Sequence, residues 1–406
     1  MSEIVLINVT GPDRPGITAG LTEVLGRYGI PVLDIGQSVI HDTLALGLLV
    51  ELPDDSASCG VFKDLLFVGH GLGLTLRFSP ISAASYEAWV QEQGRPRHIV
   101  TLLGWEISAR HLAGVARVVA DYGLNIDQIT RLTGRISRTG SASRRPASVQ
   151  LSLRGGVDDL TSLHGAFLRL GQSLDVDVAI QEDDIFRRNR RLVCFDMDST
   201  LIQAEVIDEL AAEAGVGEAV ASITAAAMRG ELDFETSFRR RLALLRGLDE
   251  QALAGIAKRL PITNGADRLI ASLKQLGYKI AILSGGFRYF AEHLQRRFGV
   301  DYVYANELDI RDGRLTGEVS GEIVDGRRKA ELLREIAERE GIRLEQVIAV
   351  GDGANDLPML AIAGLGIAFH AKPIVQERAR HSIATVGLDG ILYLLGMRDR
   401  DVAALA

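Results

Sequence analysis

The chain has 406 residues, too many for one hydrophobic core and enough for two or three domains. Apolar residues make up 47% and charged residues 24%, the balance of an ordinary soluble globular protein, and the formal net charge is -8. That acidic surplus excludes a general nucleic-acid or membrane-surface binder, which would carry a basic surplus. From the N-terminus, an internal repeat organises the first half of the chain. EIVLINVTGPDRPGITAGLTEVLGRYGIPVLDI starts at Glu3 and HIVTLLGWEISARHLAGVARVVADYGLNIDQI at His98. Each copy opens with a β-like apolar run and continues at helical spacing: Leu21, Val24, Leu25 and Tyr28 match Val115, Val118, Val119 and Tyr122. Gly29 and Gly123 follow where a left-handed helix C-cap is expected. A second β-like run comes next in each copy, then LALGLLVEL in the first and ASVQLSLRGG in the second. Strand, helix, two strands, helix, strand is a ferredoxin-like order.

Polar, turn-rich Gly134 to Ser148 reads as an exposed hairpin loop, and Gln91 to Arg97 as the linker between copies. The basic run Arg187 to Arg191 reads as a solvated linker. From Asp184 onward, the apolar runs LVCF, KIAILS, VIAV and GIAFH alternate with helical stretches, as strands of a parallel sheet covered on both faces do. The helix-rich residues between the first two runs exceed what a βα connection needs and read as an inserted cap. The expected fold is therefore α/β: a Rossmann-like parallel sheet with a helical cap, preceded by two ferredoxin-like βαββαβ α+β domains. The expected domains are residues 1–92, 97–183 and 184–406, with the cap at about 203–261.

RLVCFDMDSTLI ends a buried run in two acids, Asp196 and Asp198, one pleat apart. If LVCF is a strand, both look into the crevice at its C-terminal edge, where open α/β sheets bind ligands. An EF-hand loop starting at Asp196 needs Gly at its sixth place and Glu at its twelfth; Leu201 and Ile207 stand there instead. KIAILSGGF ends in Ser284, Gly285 and Gly286, small residues that suit an anion at a helix start. GRRKAELL offers Lys329, and VIAVGDGANDLPML ends in Asp352, Asn355 and Asp356.

In this order, Asp196-x-Asp198-x-Thr200, Ser284, Lys329 and Asp352 to Asp356 resemble the four motifs of the haloacid dehalogenase superfamily, in its phosphatase branch. The resemblance implies Asp196 as nucleophile, forming an aspartyl-phosphate, and Asp198 as proton donor and acceptor. It implies Mg²⁺ held by Asp196, the backbone carbonyl of Asp198 and Asp352, with Ser284, Gly285 and Lys329 binding the phosphoryl group. Asp356 orients either Lys329 or the metal's waters. FDMDSTLIQAEVIDELAAEAGV and AAMRGELDFETSFRRRL look like the phosphoserine phosphatase family, and the likeness runs from about Leu192 to Leu395. It implies O-phosphoserine as substrate, with Glu205 on its ammonium, Arg241 on its carboxylate, Met228 and Phe234 shielding the reacting centre, and Asn355 also in contact. Released products would be L-serine and phosphate, the last step of serine biosynthesis.

VTGPDRPGITAGL in the first copy resembles the ACT family, which implies an amino-acid effector such as L-serine at Asp13 and Gly16 and a homodimer formed through these modules. The second copy, GWEISARHLAGV, departs from that signature, so packing is its expected role. Two other readings remain: a phosphotransferase passing the phosphoryl group to an alcohol such as homoserine, and an amino-acid sensor with an inert phosphatase domain. Intact Asp196, Asp198, Ser284, Lys329 and Asp352 argue against the sensor. No G-x-x-x-x-G-K-[ST] run occurs, which excludes a P-loop kinase. With only Cys59 and Cys194, no disulfide framework or zinc spacing is possible, and free thiols suit a cytoplasmic setting. MSEIVLINVTG does not read as a signal peptide, and no apolar run approaches the roughly 20 residues of a membrane helix. His370, near the expected sheet edge, reads as structural.

Overall fold

Three sheets carry the chain in the computed structural model, which describes residues 3–53, 57–135 and 145–405, apart from the side chains of Ala57, Ser58 and Met228. Met1–Arg95 forms one body. Its elements are β1 (Glu3–Pro12), α1 (Ile17–Arg27), β2 (Val32–Ile40), β3 (Thr43–Leu52), α2 (Ala57–Gly71), β4 (Thr75–Ile81) and α3 (Ala83–Glu92). The antiparallel sheet has the order β2-β3-β1-β4. Alternation in β1 sends Val5, Ile7 and Val9 into the core, where they meet Leu21, Val24 and Leu25 of α1. α1 stops at Tyr28, and Gly29 takes the left-handed conformation (φ 64°) expected of it.

Pro96–Ala406 forms the other body. The second copy comprises β5 (Arg97–Gly104), α4 (Ala109–Asp121), β6 (Asn125–Arg131), β7 (Ala147–Arg154), α5 (Leu160–Leu174) and β8 (Asp177–Glu182). Its sheet order, β6-β7-β5-β8, repeats the first. Most of the hairpin loop expected at Gly134 to Ser148 lies outside the described residues; Ala147 and Ser148 already belong to β7. Unlike β1, β5 is buried continuously from His98 to Gly104. Val100 and Leu102 face the copy's own helices, while Leu103, with Leu132 and Ala179, joins the core of the third sheet.

The run Arg187 to Arg191 is not the solvated linker its composition suggests. Arg187 and Arg190 are only 4% and 8% exposed. Arg187 pairs with Asp183 at 3.7 Å and donates to Gln150 Oε1, and Arg190 donates to the Glu345 carbonyl. Long apolar stems and fixed guanidinium donors let arginine line a seam that a charge count assigns to solvent.

The third sheet begins with β9 (Leu192–Phe195). Four helices follow: α6 (Val206–Glu213), α7 (Gly217–Met228), α8 (Phe234–Ala243) and α9 (Gln251–Arg259). The chain leaves for them at Gln203 and returns at Pro261, joined by the bond from Gln203 N to Pro261 O (2.8 Å) and the bridge between Ile202 and Ile262. Then come α10 (Ala266–Gln275), β10 (Lys279–Phe287), α11 (Arg288–Phe298), β11 (Tyr302–Arg311), β12 (Arg314–Ser320), α12 (Gly326–Arg339), β13 (Val347–Gly351), α13 (Leu357–Ile362), β14 (Leu365–Phe369), α14 (Pro373–Arg378), β15 (His381–Ile383) and α15 (Ile391–Leu394). The order is β12-β11-β10-β9-β13-β14-β15, parallel except for the β11–β12 hairpin. Both faces of β9 are covered, as its unbroken apolar run requires: Val193 and Phe195 pack with α10 and α11, Leu192 and Cys194 with α12 and α13. No helix among the described residues is long and apolar enough to cross a membrane.

Candidate active site

β9 is flanked by β10 and β13, all parallel, so their C-terminal ends bring Asp196, Ser284 and Asp352 to one edge. Asp196 N bonds to Val350 O at 2.9 Å, and Asp196 Oδ1 accepts from Met197 N at 2.7 Å. Met197 turns into the core, fully buried, which separates the two acids and leaves both carboxylates on the crevice side. Ser199 then takes a left-handed conformation (φ 54°), a strain of the kind that clusters at functional turns.

Lys329 sits in the first turn of α12, whose N-cap Asp325 accepts from Arg328 N at 2.8 Å. Its ammonium is fully buried, 2.9 Å from Asp196 Oδ2 and 2.7 Å from Asp356 Oδ1. The other Asp356 oxygen accepts from Gly353 N at 2.9 Å, so both are engaged. A Cβ on Gly351 would lie 2.4 Å from Asp356 Cγ, which is why glycine ends β13. Thr200 donates to Asp352 Oδ1 at 3.2 Å.

Burial, then the Asp356 charge, pushes the Asp196 carboxyl well above the usual range, against the pull of Lys329. Burial and Glu205 do the same to Asp198. Asp352 is pushed up to about 7 by burial and the charges of Asp356 and Glu205. Burial works against the Lys329 charge, but Asp196 and Asp356 outweigh it and hold the ammonium protonated. One carboxylate oxygen each from Asp196, Asp352 and Asp356 lies within 4.8 Å of the other two. Oxygen-only donors with an excess of negative charge fit a hard divalent cation such as Mg²⁺, which would relieve that repulsion. Asp196 and Asp356 each have both oxygens engaged by protein donors, whereas Asp352 accepts only from Thr200, at Oδ1, so Asp352 is the best placed of the three as a side-chain ligand.

Asp198 Oδ1 accepts from Val206 N, at the start of the cap, at 3.2 Å. Ser284 Oγ is fully buried and accepts from Gly286 N at 2.9 Å. A Cβ on Gly286 would fall 2.4 Å from Asp198 Oδ2, and one on Gly285 would fall 3.3 Å from Phe234 Cζ and 3.8 Å from Asn355 Nδ2. The glycine pair is therefore packed between Asp198 below and Phe234 of the cap above. Glu205 Oε1 accepts from Ser199 Oγ at 2.7 Å. Arg241 is half-buried; burial lowers its pKa, and Asp208, Glu205 and Asp198 act against that. Among the sequence-derived candidates, Asp196, Asp198, Glu205, Phe234, Arg241, Ser284, Gly285, Lys329, Asp352 and Asn355 thus converge. The Met228 side chain lies outside the described residues. Asp13 and Gly16 belong to the first body; Asp13 is exposed, and Gly16 holds φ 92° at the start of α1 with open space where a Cβ would be.

Sequence reasoning missed Asn306. It is 1% exposed, donates to Gly285 O at 2.8 Å and accepts from Val324 N at 2.8 Å, tying the glycine loop to the segment that leads into α12. An asparagine at a buried strand position, where a pleated run calls for an apolar residue, was the available signal.

A model of the haloacid dehalogenase-like hydrolases matches residues 193–361, and ACT domain models match residues 3–79 and 96–181. The chain is 42% identical to a phosphoserine phosphatase of Streptomyces coelicolor over 98% of its length and 94% of that protein. It is 41% identical to a phosphoserine phosphatase of Mycobacterium tuberculosis, covering 98% and 95%. A crystal structure of a probable phosphoserine phosphatase from Vibrio cholerae, unliganded, superimposes with a TM-score of 0.58 at 34% identity, covering 76% of this chain and 89% of that one. The chain therefore belongs to the phosphoserine phosphatases of the haloacid dehalogenase-like hydrolases, carrying two ACT domains.

Proposed function

We propose that this protein hydrolyses O-phospho-L-serine to L-serine and phosphate with Mg²⁺, through an aspartyl-phosphate on Asp196. The observation that carries the reading is the buried Lys329 ammonium 2.9 Å from Asp196 Oδ2 at the ends of three parallel strands. A carboxylate nucleophile is repelled by a phosphate dianion, and a fixed cation beside it offsets that repulsion. An Asp196 oxygen forms a bond to phosphorus as the ester P–O bond breaks. Asp198 gives its proton to the departing serine oxygen; its raised pKa suits a carboxyl that is protonated at the start. Water, deprotonated by Asp198, then attacks phosphorus and frees Asp196. Mg²⁺, held by Asp196, Asp352 and the Asp198 carbonyl, would neutralise phosphoryl charge. Ser284 and the Gly285 amide bind phosphoryl oxygens, and Asp356 holds Lys329 in place.

Substrate choice rests on Glu205 for the ammonium and Arg241 for the carboxylate, with Asn355 beside the phosphoryl loop and Phe234 and Met228 closing over it. The reaction ends serine biosynthesis in the cytoplasm. L-serine at Asp13 and Gly16 regulates it, and the chain is a homodimer. The β2 edge supports the dimer: it is exposed at every residue but Leu33 and carries Val32, Ile35, Val39 and Ile40 at 44%, 50%, 39% and 76% exposure. The test is phosphate release from a panel of phospho-amino acids, with and without Mg²⁺, for the native chain and Asp196→Asn. Turnover surviving in the variant would end the nucleophile assignment, and no preference for phosphoserine would end the substrate assignment.

A further inference from the structure

The seven residues between β15 and α15, Ala384–Gly390, are gripped from three sides. From the second ACT copy comes Asp177, the first residue of β8. It is 8% exposed, and its carboxylate accepts from Ala384 N (2.8 Å), Thr385 N (3.0 Å) and Thr385 Oγ1 (2.6 Å). Three donors on one buried carboxylate is a full complement for a group that would otherwise be costly to bury. From the end of β14 comes His370, in a left-handed conformation (φ 45°), with Nε2 2.9 Å from Val386 O. From the third side comes the turn by which the chain returns from the cap: Leu388 N donates to Asn264 O at 2.8 Å. Contact there is close enough to dictate glycines, since a Cβ on Gly387 would lie 2.8 Å from Asn264 O and one on Gly265 2.3 Å from Asp389 Oδ1.

Asn264 directly follows the cap's hinge. Thr263 N bonds to Leu201 O at 3.0 Å and Gln203 N to Pro261 O at 2.8 Å; these pairs, with the Ile202–Ile262 bridge, carry the cap out and back. Leu201 adjoins Thr200, which donates to Asp352. A continuous series of hydrogen bonds therefore runs from the Asp177 side chain on β8 through the Ala384–Leu388 backbone and Asn264 to the hinge of the cap and, by the Thr200 hydroxyl, to Asp352. We propose that Asp177 is a positioning residue for catalysis: through the Ala384–Leu388 loop, the second ACT copy fixes the cap hinge and so sets how readily the cap closes over the substrate. The copy without the effector signature would then serve as the cap's footing.

This rests on the phosphatase reading only for its kinetic readout. In the full-length chain, Asp177→Asn keeps shape but turns an amide NH₂ or a single acceptor toward three donors; Thr385→Val removes only the hydroxyl donor. A loosened hinge lowers the fraction of closed cap and raises the apparent KM in proportion, while the closed complex reacts as before. Asp177→Asn should raise KM for phosphoserine about 5-fold, and Thr385→Val about 2-fold, with kcat within about 2-fold of native. Both should also speed hydrogen exchange of the Gln203 and Thr263 amides, a readout independent of turnover. As control, Asp159→Ala removes the N-cap of α5 in the same copy, whose Oδ1 accepts from Ser162 N at 3.0 Å, and should lower melting temperature without moving KM or hinge exchange. Unchanged KM and exchange in both clamp variants, or equal changes in the control, would overturn the proposal. Absent turnover by the native chain would count against the phosphatase reading instead, and the exchange rates would still decide the hinge.

Discussion

Gly286→Ala probes the role of Asp198 through a single methyl group. Gly286 does not need a left-handed backbone, so alanine is tolerated there conformationally; its obstacle is space. The new Cβ would stand 2.4 Å from Asp198 Oδ2, 2.8 Å from Met197 Cε and 3.1 Å from Ser284 Oγ. Ordinary contact requires about 3.5 Å or more, so the Asp198 carboxylate must retreat by about 1 Å or turn away. Overpacking of this kind costs about 1–3 kcal/mol in stability. Displacing a proton donor by about 1 Å costs about 100-fold, and losing it altogether up to about 10⁴-fold. The expected result is a fall in kcat of about 10²- to 10³-fold in a folded protein, read by continuous phosphate release. The loss should be smaller with an aryl phosphate, whose leaving group departs without a proton. Gly285→Ala is the companion: its Cβ would meet Phe234 Cζ at 3.3 Å, and a ring edge can give way. That variant should keep kcat within a few-fold, on the order of a 1 kcal/mol effect. Native kcat in Gly286→Ala, or equal loss in both variants, would refute the assignment of Asp198 as the proton shuttle.

Asn306→Leu removes the partner of two buried backbone groups, Gly285 O and Val324 N. Urea unfolding should show a loss of about 2–5 kcal/mol, and competitive inhibition by inorganic phosphate should weaken. Asp352→Asn removes one of the three carboxylate charges clustered at Asp196, Asp352 and Asp356; chelation should abolish native turnover, and the variant should need about 10-fold or more Mg²⁺ to regain it. His381 is buried at the seam, with ring nitrogens 2.9 Å from Ile180 O and 3.1 Å from Gly366 O. Burial, helped by His164, pushes its imidazole down to about 4. An unfolded histidine titrates near 6.5, so between those values the unfolded chain binds more protons. Stability is full above about pH 6.5 and falls with pH, by about 2 kcal/mol at pH 5 from this group. The loss of unfolding free energy from pH 7.5 to pH 5 should be larger by that amount in the native protein than in His381→Gln.

The candidate site was legible because its residues are of types that no buried strand otherwise ends in. Asp196 and Asp198 after LVCF, and Asp352 after VIAV, are charges at positions where packing alone would place none. Period and caps read correctly too: Gly29 and Gly123 take φ 64° and 67° where the helical pattern stops. What escaped notice depends on partners distant in sequence. Nothing local to Arg187 or Arg190 says that Gln150 and Glu345 await them. Asn306 answers a carbonyl 21 residues away, and the β11–β12 hairpin was unread because its strands follow no continuous apolar run. The α3 helix, Ala83–Glu92, was likewise invisible: it buries no residue fully, so the periodic signal that marks a helix was weak.

One scaffold used twice has come to different ends, and strand patterns explain how. β1 alternates, so the sheet of the first copy keeps one face for its helices and leaves Ile4, Leu6 and Asn8 half-buried on the other. The corresponding residues of the second copy, Ile99, Thr101 and Leu103, are 2%, 0% and 0% exposed, because that face packs on the catalytic sheet. Burial on both faces brings the usual demand that every polar group find a partner. Asp177 meets it through Ala384 and Thr385, and Gln181 in part, its Nε2 donating to the Leu394 carbonyl across the seam while its Oε1 and the Thr101 hydroxyl stay unpartnered. A module so bonded has little freedom to open a ligand loop, and its β5–α4 turn has dropped the glycine that gives Gly16 its φ of 92°.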